Sequence, residues 1–171
     1  MCAGCRLWST CGLRGDHPRF NPCRGPLAYS GGEYWTIRLM SVLRGGCWCG
    51  AVRYQVPDEF LYAWNCHCSR CRAATGSAFK PLAGIERDKL EIMEGADALF
   101  VVGDDALNDT RCASCGSFLF SVVRDGAYVH VGLGSLIDAP SIRPTAHIFV
   151  GSKATWFEIT DELPQFEEYA G

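Results

Sequence analysis

Apolar and polar residues alternate in short runs from residue 40 onward, the pattern of half-buried strands rather than of helices. Ala51 to Val56 alternates and stops at Pro57, and Leu90 to Glu94 alternates and ends at Gly95. Phe60 to Trp64 is short and aromatic, and Ala98 to Val102 is a second compact run ended by Gly103-Asp104-Asp105. Ser117 to Val123 and Ala127 to Leu133 flank Arg124-Asp125-Gly126, which predicts a hairpin. In the second of these strands Val129, Val131 and Leu133 share one face, and Tyr128 and His130 share the other. Ala146 to Val150 and Thr155 to Ile159 complete the predicted strands. Ser69 to Thr75 can make two helical turns closed by Gly76 as a C-terminal cap. The expectation is a mainly β, mainly antiparallel domain with little helix.

The patterning does not extend to the start of the chain. Residues 1–39 show neither period, and a dense sequence begins just after Met40. Residues 1–39 are therefore expected to be a disordered tail or an upstream, non-native extension, with 40–171 as the domain. A small metal knuckle at Cys2, Cys5, Cys11 and Cys23 is the competing reading of the early segment. Of 16 basic and 19 acidic residues, five and two precede residue 40, so the remainder carries a formal charge of −6. No basic stripe indicates nucleic-acid binding. The longest purely apolar run is five residues, where a membrane helix needs about 20. No uninterrupted apolar segment suits an export signal, so a cytoplasmic location is expected.

Eleven cysteines change the picture. Seven of them fall between residues 47 and 115, as Cys47-x-Cys49, Cys66-x-Cys68-x2-Cys71 and Cys112-x2-Cys115-Gly116. Zinc takes thiolates in a tetrahedron, four in a closed structural site and three where a position stays open for water or substrate. The triplet Cys66, Cys68 and Cys71 has the form of the open site. The pairs Cys47/Cys49 and Cys112/Cys115 have the form of a closed clasp. A single zinc ribbon from Cys68/Cys71 and Cys112/Cys115 is the main rival, but it leaves Cys47, Cys49 and Cys66 without a role. Disulfides require an oxidising compartment. A redox pair at Cys112/Cys115 requires a helix after it, where Ser117-Phe118-Leu119-Phe120 is strand-like.

Gly46-Cys47-Trp48-Cys49-Gly50-Ala51-Val52-Arg53-Tyr54, Cys66-His67-Cys68-Ser69-Arg70-Cys71-Arg72 and Cys112-Ala113-Ser114-Cys115-Gly116 resemble the glutathione-dependent formaldehyde-activating enzyme (Gfa-like, or centromere protein V) family. The resemblance spans about residues 43 to 166 and takes in His147-Ile148-Phe149-Val150, Lys153, Trp156 and Asp161-Glu162-Leu163-Pro164. The founding enzymes differ around Arg72-Ala73-Ala74-Thr75-Gly76. The resemblance implies an Mss4-like β-tent of coiled antiparallel sheets organised around zinc. It implies two zinc ions per chain, a structural one on Cys47, Cys49, Cys112 and Cys115 and a catalytic one on Cys66, Cys68 and Cys71. It implies carbon–sulfur lyase activity on thiol–aldehyde adducts, S-hydroxymethylglutathione being the family's, with a small thiol and an aldehyde as partners.

Three thiolates on one zinc leave a net charge of −1, and such a site can still bind an incoming thiol as thiolate. His67, between two ligands, is expected to point away from the metal into solvent or a supporting position. His130 is expected to face solvent, and His147 and Lys153 to be structural. Arg70 and Arg72 can balance the thiolates or attract an anionic substrate. Trp48, Trp64 and Trp156 are expected in the core. The alternative function is a non-catalytic binding module in which both zinc ions are structural.

Overall fold

The computed structural model describes residues 41–170, and the readings that fall on residues 1–40 lie outside it. Among the described residues, ten strands form two sheets. The smaller joins β1 (Val42–Gly46), β2 (Arg53–Pro57) and β5 (Glu91–Glu94) in the order β1-β2-β5. The larger contains β3 (Tyr62–Cys66), β4 (Lys80–Glu86), β6 (Leu99–Gly103), β7 (Asn108–Cys112), β8 (Phe118–Val123), β9 (Tyr128–Gly132) and β10 (His147–Ile148). Its order is β10-β3-β4-β9-β8-β7-β6, antiparallel throughout except that β10 runs parallel to β3. The architecture is mainly β, as an Mss4-like β-tent requires. No helix among the described residues is long and apolar enough to cross a membrane.

Register decides what each face carries, because residues directly opposite one another share a face. One face of the large sheet presents Ala83, Ile85, Phe120, Val122, Val129 and Val131 to Val52, Tyr54 and Val56, and this is the main core. The opposite face runs from Cys66 and Lys80, paired across β3 and β4, through Gly84 and His130 to Ser121 and Asp109. It is the polar face, and α1 (Ser69–Thr75) lies against it through Arg70, 3.6 Å from Asp109.

The helix ends as expected, with Gly76 left-handed at φ 63° and its N–H on Arg72 O at 2.8 Å. The β8–β9 hairpin turns through Arg124, Asp125 and Gly126, all at positive φ. Several expectations fail. Thr155 to Ile159 is no strand: Phe157 N–H bonds Ala154 O at 3.1 Å and Lys153 Nζ donates to Phe157 O at 2.5 Å, which folds the segment into a turn. The run from Ala146 to Val150 pairs only at His147–Ile148, because Phe149 is left-handed at φ 58°. Three strands carry no alternation signal. In β4, Pro81 precedes the β9 ladder, which begins at Leu82, so its missing N–H removes no bond on that side. Gly84 in the same strand lies under the Tyr62 ring. In β7 Asn108, Asp109 and Thr110 are all buried, on both faces of the strand, held by their hydrogen bonds rather than by apolar character. β1 lies in the patterned sequence after Met40 but is broken up by Gly45 and Gly46.

Candidate zinc centres and the polar face

The sulfur of Cys47 leaves the β1–β2 turn, where Gly50 at φ 84° permits the sharp return of Cys49. Cys112 ends β7, and the turn to β8 places Cys115 and then Gly116 at φ 74°, whose N–H bonds Cys112 O at 2.9 Å. The four sulfurs lie within 4.8 Å of one another. Cys47 and Cys49 are 3.5 Å apart, and Cys49 and Cys112 are 3.7 Å apart. Sulfurs at about 2.3 Å from a tetrahedral zinc lie roughly 3.8 Å from each other, so this donor set fits the ion. Val52 N–H donates to Cys47 Sγ at 3.2 Å, and Ser117 Oγ lies 3.1 Å from Cys115 Sγ. Because β1–β2 and β7–β8 belong to different sheets, this cluster ties the two together.

Cys66 is the last residue of β3, Cys68 is the N-cap of α1, and Cys71 sits in the first helical turn. The cap fixes the triplet: Cys68 Sγ accepts from Cys71 N–H at 3.3 Å. The three sulfurs also lie within 4.8 Å of one another. Hydrogen bonds from Cys66 and Cys71 hold the Cys68 thiol down at about 2. The same contacts, from Cys68 and Cys71, push Cys66 well above the usual thiol value. All seven predicted ligands thus gather in the predicted four-plus-three division, and both donor sets are compatible with zinc.

His67 does point away from the sulfurs, but not into solvent. It is fully buried against Phe79 and Phe157, with Nε2 2.7 Å from His147 Nδ1. His147 Nε2 in turn lies 3.1 Å from both carboxylate oxygens of Asp161. Burial, then the charges of His147, Lys153 and Arg72, lowers His67 to about 4, and its Nδ1 has no hydrogen-bond partner. His147 is buried and tied into this chain, and Lys153 holds the turn that carries Phe157. His130 is half-buried rather than open to solvent: its Nε2 lies 2.8 Å from Tyr62 Oη, and burial, then Lys80 and Arg124, lowers it to about 3. Arg70 pairs with Asp109, and Arg72 keeps a buried Nε without a hydrogen-bond partner. Trp48 and Trp156 are exposed, at 85% and 72%, against the expectation of core positions. They flank turns whose neighbours Cys47 and Ala154 take the inward positions. Trp64 is half-buried and stacks on Tyr62 at 4.2 Å.

Sequence reasoning missed Lys80. It is 3% exposed, faces Cys66 across the β3–β4 ladder, and donates to Ser121 Oγ at 2.9 Å. Ser121 Oγ passes the link on to Asp109 Oδ1 at 2.6 Å. The signal was a lone cation inside the small and apolar run Ala78-Phe79-Lys80-Pro81-Leu82-Ala83-Gly84-Ile85.

The model of the family described as glutathione-dependent formaldehyde-activating enzyme matches residues 42–152. Three relatives are each named "Putative glutathione-dependent formaldehyde-activating enzyme". One from Halomonas elongata is 32% identical over 129 residues, covering 69% of this chain and 81% of its own length. One from Fusarium vanettenii is 25% identical over 61% of this chain and 53% of its own. One from Penicillium rubens is 31% identical over 51% of this chain and 50% of its own. The chain thus spans about half the length of the two fungal relatives. The crystal structure of a Rhodobacter sphaeroides protein aligns at a TM-score of 0.47 and 26% identity, over 59% of this chain and 91% of that one.

Proposed function

The chain belongs to the glutathione-dependent formaldehyde-activating enzyme family, and on that footing we propose that it is a zinc-dependent carbon–sulfur lyase-type enzyme acting on thiol–aldehyde adducts such as S-hydroxymethylglutathione. The observation that carries this reading is the inequality of the two clusters. Four sulfurs gather where two sheets meet, and three gather at the N-cap of α1 beside a buried cation. Cys47, Cys49, Cys112 and Cys115 are the structural ligands, and Cys66, Cys68 and Cys71 are the catalytic ones. A zinc ion on those three sulfurs supplies a Lewis acid that holds a thiol in its thiolate form near neutral pH.

The remaining work falls to the chain. Cys71 N–H steadies the Cys68 thiolate, which keeps the triplet in place. Lys80, opposite Cys66, puts a fixed positive charge beside three sulfurs that together carry an excess of negative charge. Leu82 and Ile148, with the partly buried Phe149 and Phe166, pack around Cys66, Leu82 on the sheet face that Cys66 shares with Lys80. In the cleaving direction the adduct loses its hydroxyl proton, the carbon–oxygen double bond forms and the carbon–sulfur bond breaks, releasing thiolate and aldehyde.

The test is exchange of the hydroxymethyl group between free and glutathione-bound formaldehyde, followed by magnetisation-transfer NMR with the zinc-loaded chain. Exchange faster than in buffer, abolished in Cys68→Ser, is expected. Exchange at the buffer rate for the zinc-loaded chain with glutathione and with simpler thiols would favour a non-catalytic, zinc-stabilised binding module.

A further inference from the structure

A cavity of about 400 Å³ opens beside the four-cysteine cluster, with Cys115 in its lining, and reaches Lys80, the residue opposite Cys66. Its walls come from the end of α1 (Ala74, Thr75), the start of β4 (Lys80), β7 (Arg111) and the turn from Cys115 to Phe118. Its basic and carboxylate side chains are one-sided, although Cys115, a sulfur of the four-cysteine cluster, also lines it. Lys80 and Arg111 line it and no carboxylate does, while Thr75, Ser117 and Ser135 add hydroxyls. Both cations sit over the same Phe118 ring, the Lys80 ammonium at 4.9 Å and the Arg111 guanidinium at 5.6 Å.

Neither cation is placed by accident. Arg111 is pinned across the cavity edge by two carbonyls, Ala74 O on one side and Gly116 O at 3.3 Å on the other. Lys80 is buried, and Ser121 accepts one of the three protons its ammonium can donate. Its balancing carboxylate, Asp109, lies behind Ser121 and outside the cavity lining. Gly134 in the wall has no atom within 4 Å of the place a Cβ would occupy, so the space there is open.

Two lining residues, Thr75 and Lys80, link the cavity to the three-cysteine cluster. Thr75 lies four residues beyond Cys71 on the same helix, roughly 6 Å along its axis, and its Oγ1 donates to Cys71 O at 2.8 Å. Lys80 faces Cys66 directly. Lys80 is thus shared by the two places, and a thiol engaged at the triplet whose chain ran past Lys80 would bring its carboxylate toward the two cations. We propose that this cavity is a carboxylate subsite, in which Lys80 and Arg111 hold the carboxylate of the thiol substrate and so select anionic thiols. The proposal rests on the reading of Cys66, Cys68 and Cys71 as the thiol-binding centre.

The test is a charge series of small thiols titrated into the full chain loaded with cobalt, read by the change in cobalt absorption. The probes are 3-mercaptopropionate, its methyl ester and 2-aminoethanethiol, with charges of −1, 0 and +1 at pH 7. Thiol acidity and the net negative charge of three thiolates with a divalent ion both favour the reverse order. The subsite predicts that the acid binds tightest, about tenfold or more tighter than the ester, the worth of one hydrogen bond to a charged group. Its advantage should shrink as salt is raised. Lys80→Met should weaken all three probes, because Lys80 also faces Cys66, and the acid most of all, which brings acid and ester close to parity. The wild-type comparison needs no variant, so a Lys80→Met chain that fails to fold does not rescue the proposal. Acid and ester binding alike to the wild-type chain would overturn the subsite and leave the thiol-binding centre standing. A cobalt spectrum indifferent to all three probes would overturn the centre and the subsite together.

Discussion

Replacing Ser121 by alanine tests the polar face where its energetics are most concentrated. Ser121 is 3% exposed and bridges two opposite charges, accepting from Lys80 Nζ at 2.9 Å and donating to Asp109 Oδ1 at 2.6 Å. Hydrogen bonds to charged groups contribute about 1.5–3 kcal/mol each, and a buried charge left without its partner costs at least as much. The substitution cuts both bonds at once and leaves an ammonium and a carboxylate that are each at least nine-tenths buried. Arg70 stays 3.6 Å from Asp109 Oδ2, but it is half exposed and recovers only part of the loss. The expected destabilisation is therefore about 2–4 kcal/mol. With a urea dependence of about 2 kcal/mol/M for a domain of this size, the unfolding midpoint falls by about 1–2 M. Circular dichroism with zinc held saturating for both chains reads the shift. A fall below about 0.25 M, equivalent to roughly 0.5 kcal/mol, would mean that the Lys80–Ser121–Asp109 chain holds nothing in place.

Acid should weaken the fold through His130. Its folded value is lowered to about 3, chiefly by burial, so the neutral ring is the form the fold prefers. The contribution is intact above about 6.5, the unfolded value. It is lost as pH falls from there toward 3, at up to about 1.4 kcal/mol per pH unit. Urea midpoints at pH 7 and pH 5 should converge in His130→Gln relative to wild type, and an equal pH dependence in the two chains would refute the assignment. Gly84→Ala should cost about 1–3 kcal/mol, because the new Cβ would overlap the Tyr62 ring. A thermal melt unchanged by that substitution would mean the ring moves freely. Asp138→Asn, by contrast, should cost less than about 1 kcal/mol, since Arg44, its partner at 2.8 Å, is 70% exposed; a larger fall in the urea midpoint would show that this pair anchors β1.

The two cysteine clusters were legible because the motif spacing suggested a four-plus-three division, with a single ribbon as its rival, and the family resemblance implied the two ligand sets. Cys66-x-Cys68-x2-Cys71 can only converge through a turn, and Ser69 and Gly76 mark where that turn's helix starts and stops. The β8–β9 hairpin was legible for the same local reason, its turn residues at Arg124, Asp125 and Gly126. What stayed hidden depends on partners distant in the chain. β7 is buried through a hydrogen bond that Asp109 accepts from Ser121 and one that Thr110 donates to Asn108, which no hydropathy pattern registers. β4 contains a proline and a glycine that signal a loop, and only the ladder beginning at Leu82 and the ring of Tyr62 make them compatible with a central strand. His67 was expected in solvent or in a supporting position and His130 toward solvent, because position in the chain says which side a residue takes, not what covers that side. Here the covers are Phe157 with His147, and Tyr62. Trp48 and Trp156 mislead in the other direction, since large aromatic residues on tight turns have no inward position to take.

The most direct test of the account is zinc content per chain, by elemental analysis of the full chain purified without chelator, beside Cys71→Ser. The account predicts two zinc ions in the wild-type chain and one in Cys71→Ser, with the fold retained because the cluster joining the two sheets is untouched. One zinc in the wild-type chain after remetallation, or two retained in Cys71→Ser, would contradict the division into a four-sulfur clasp and a three-sulfur centre.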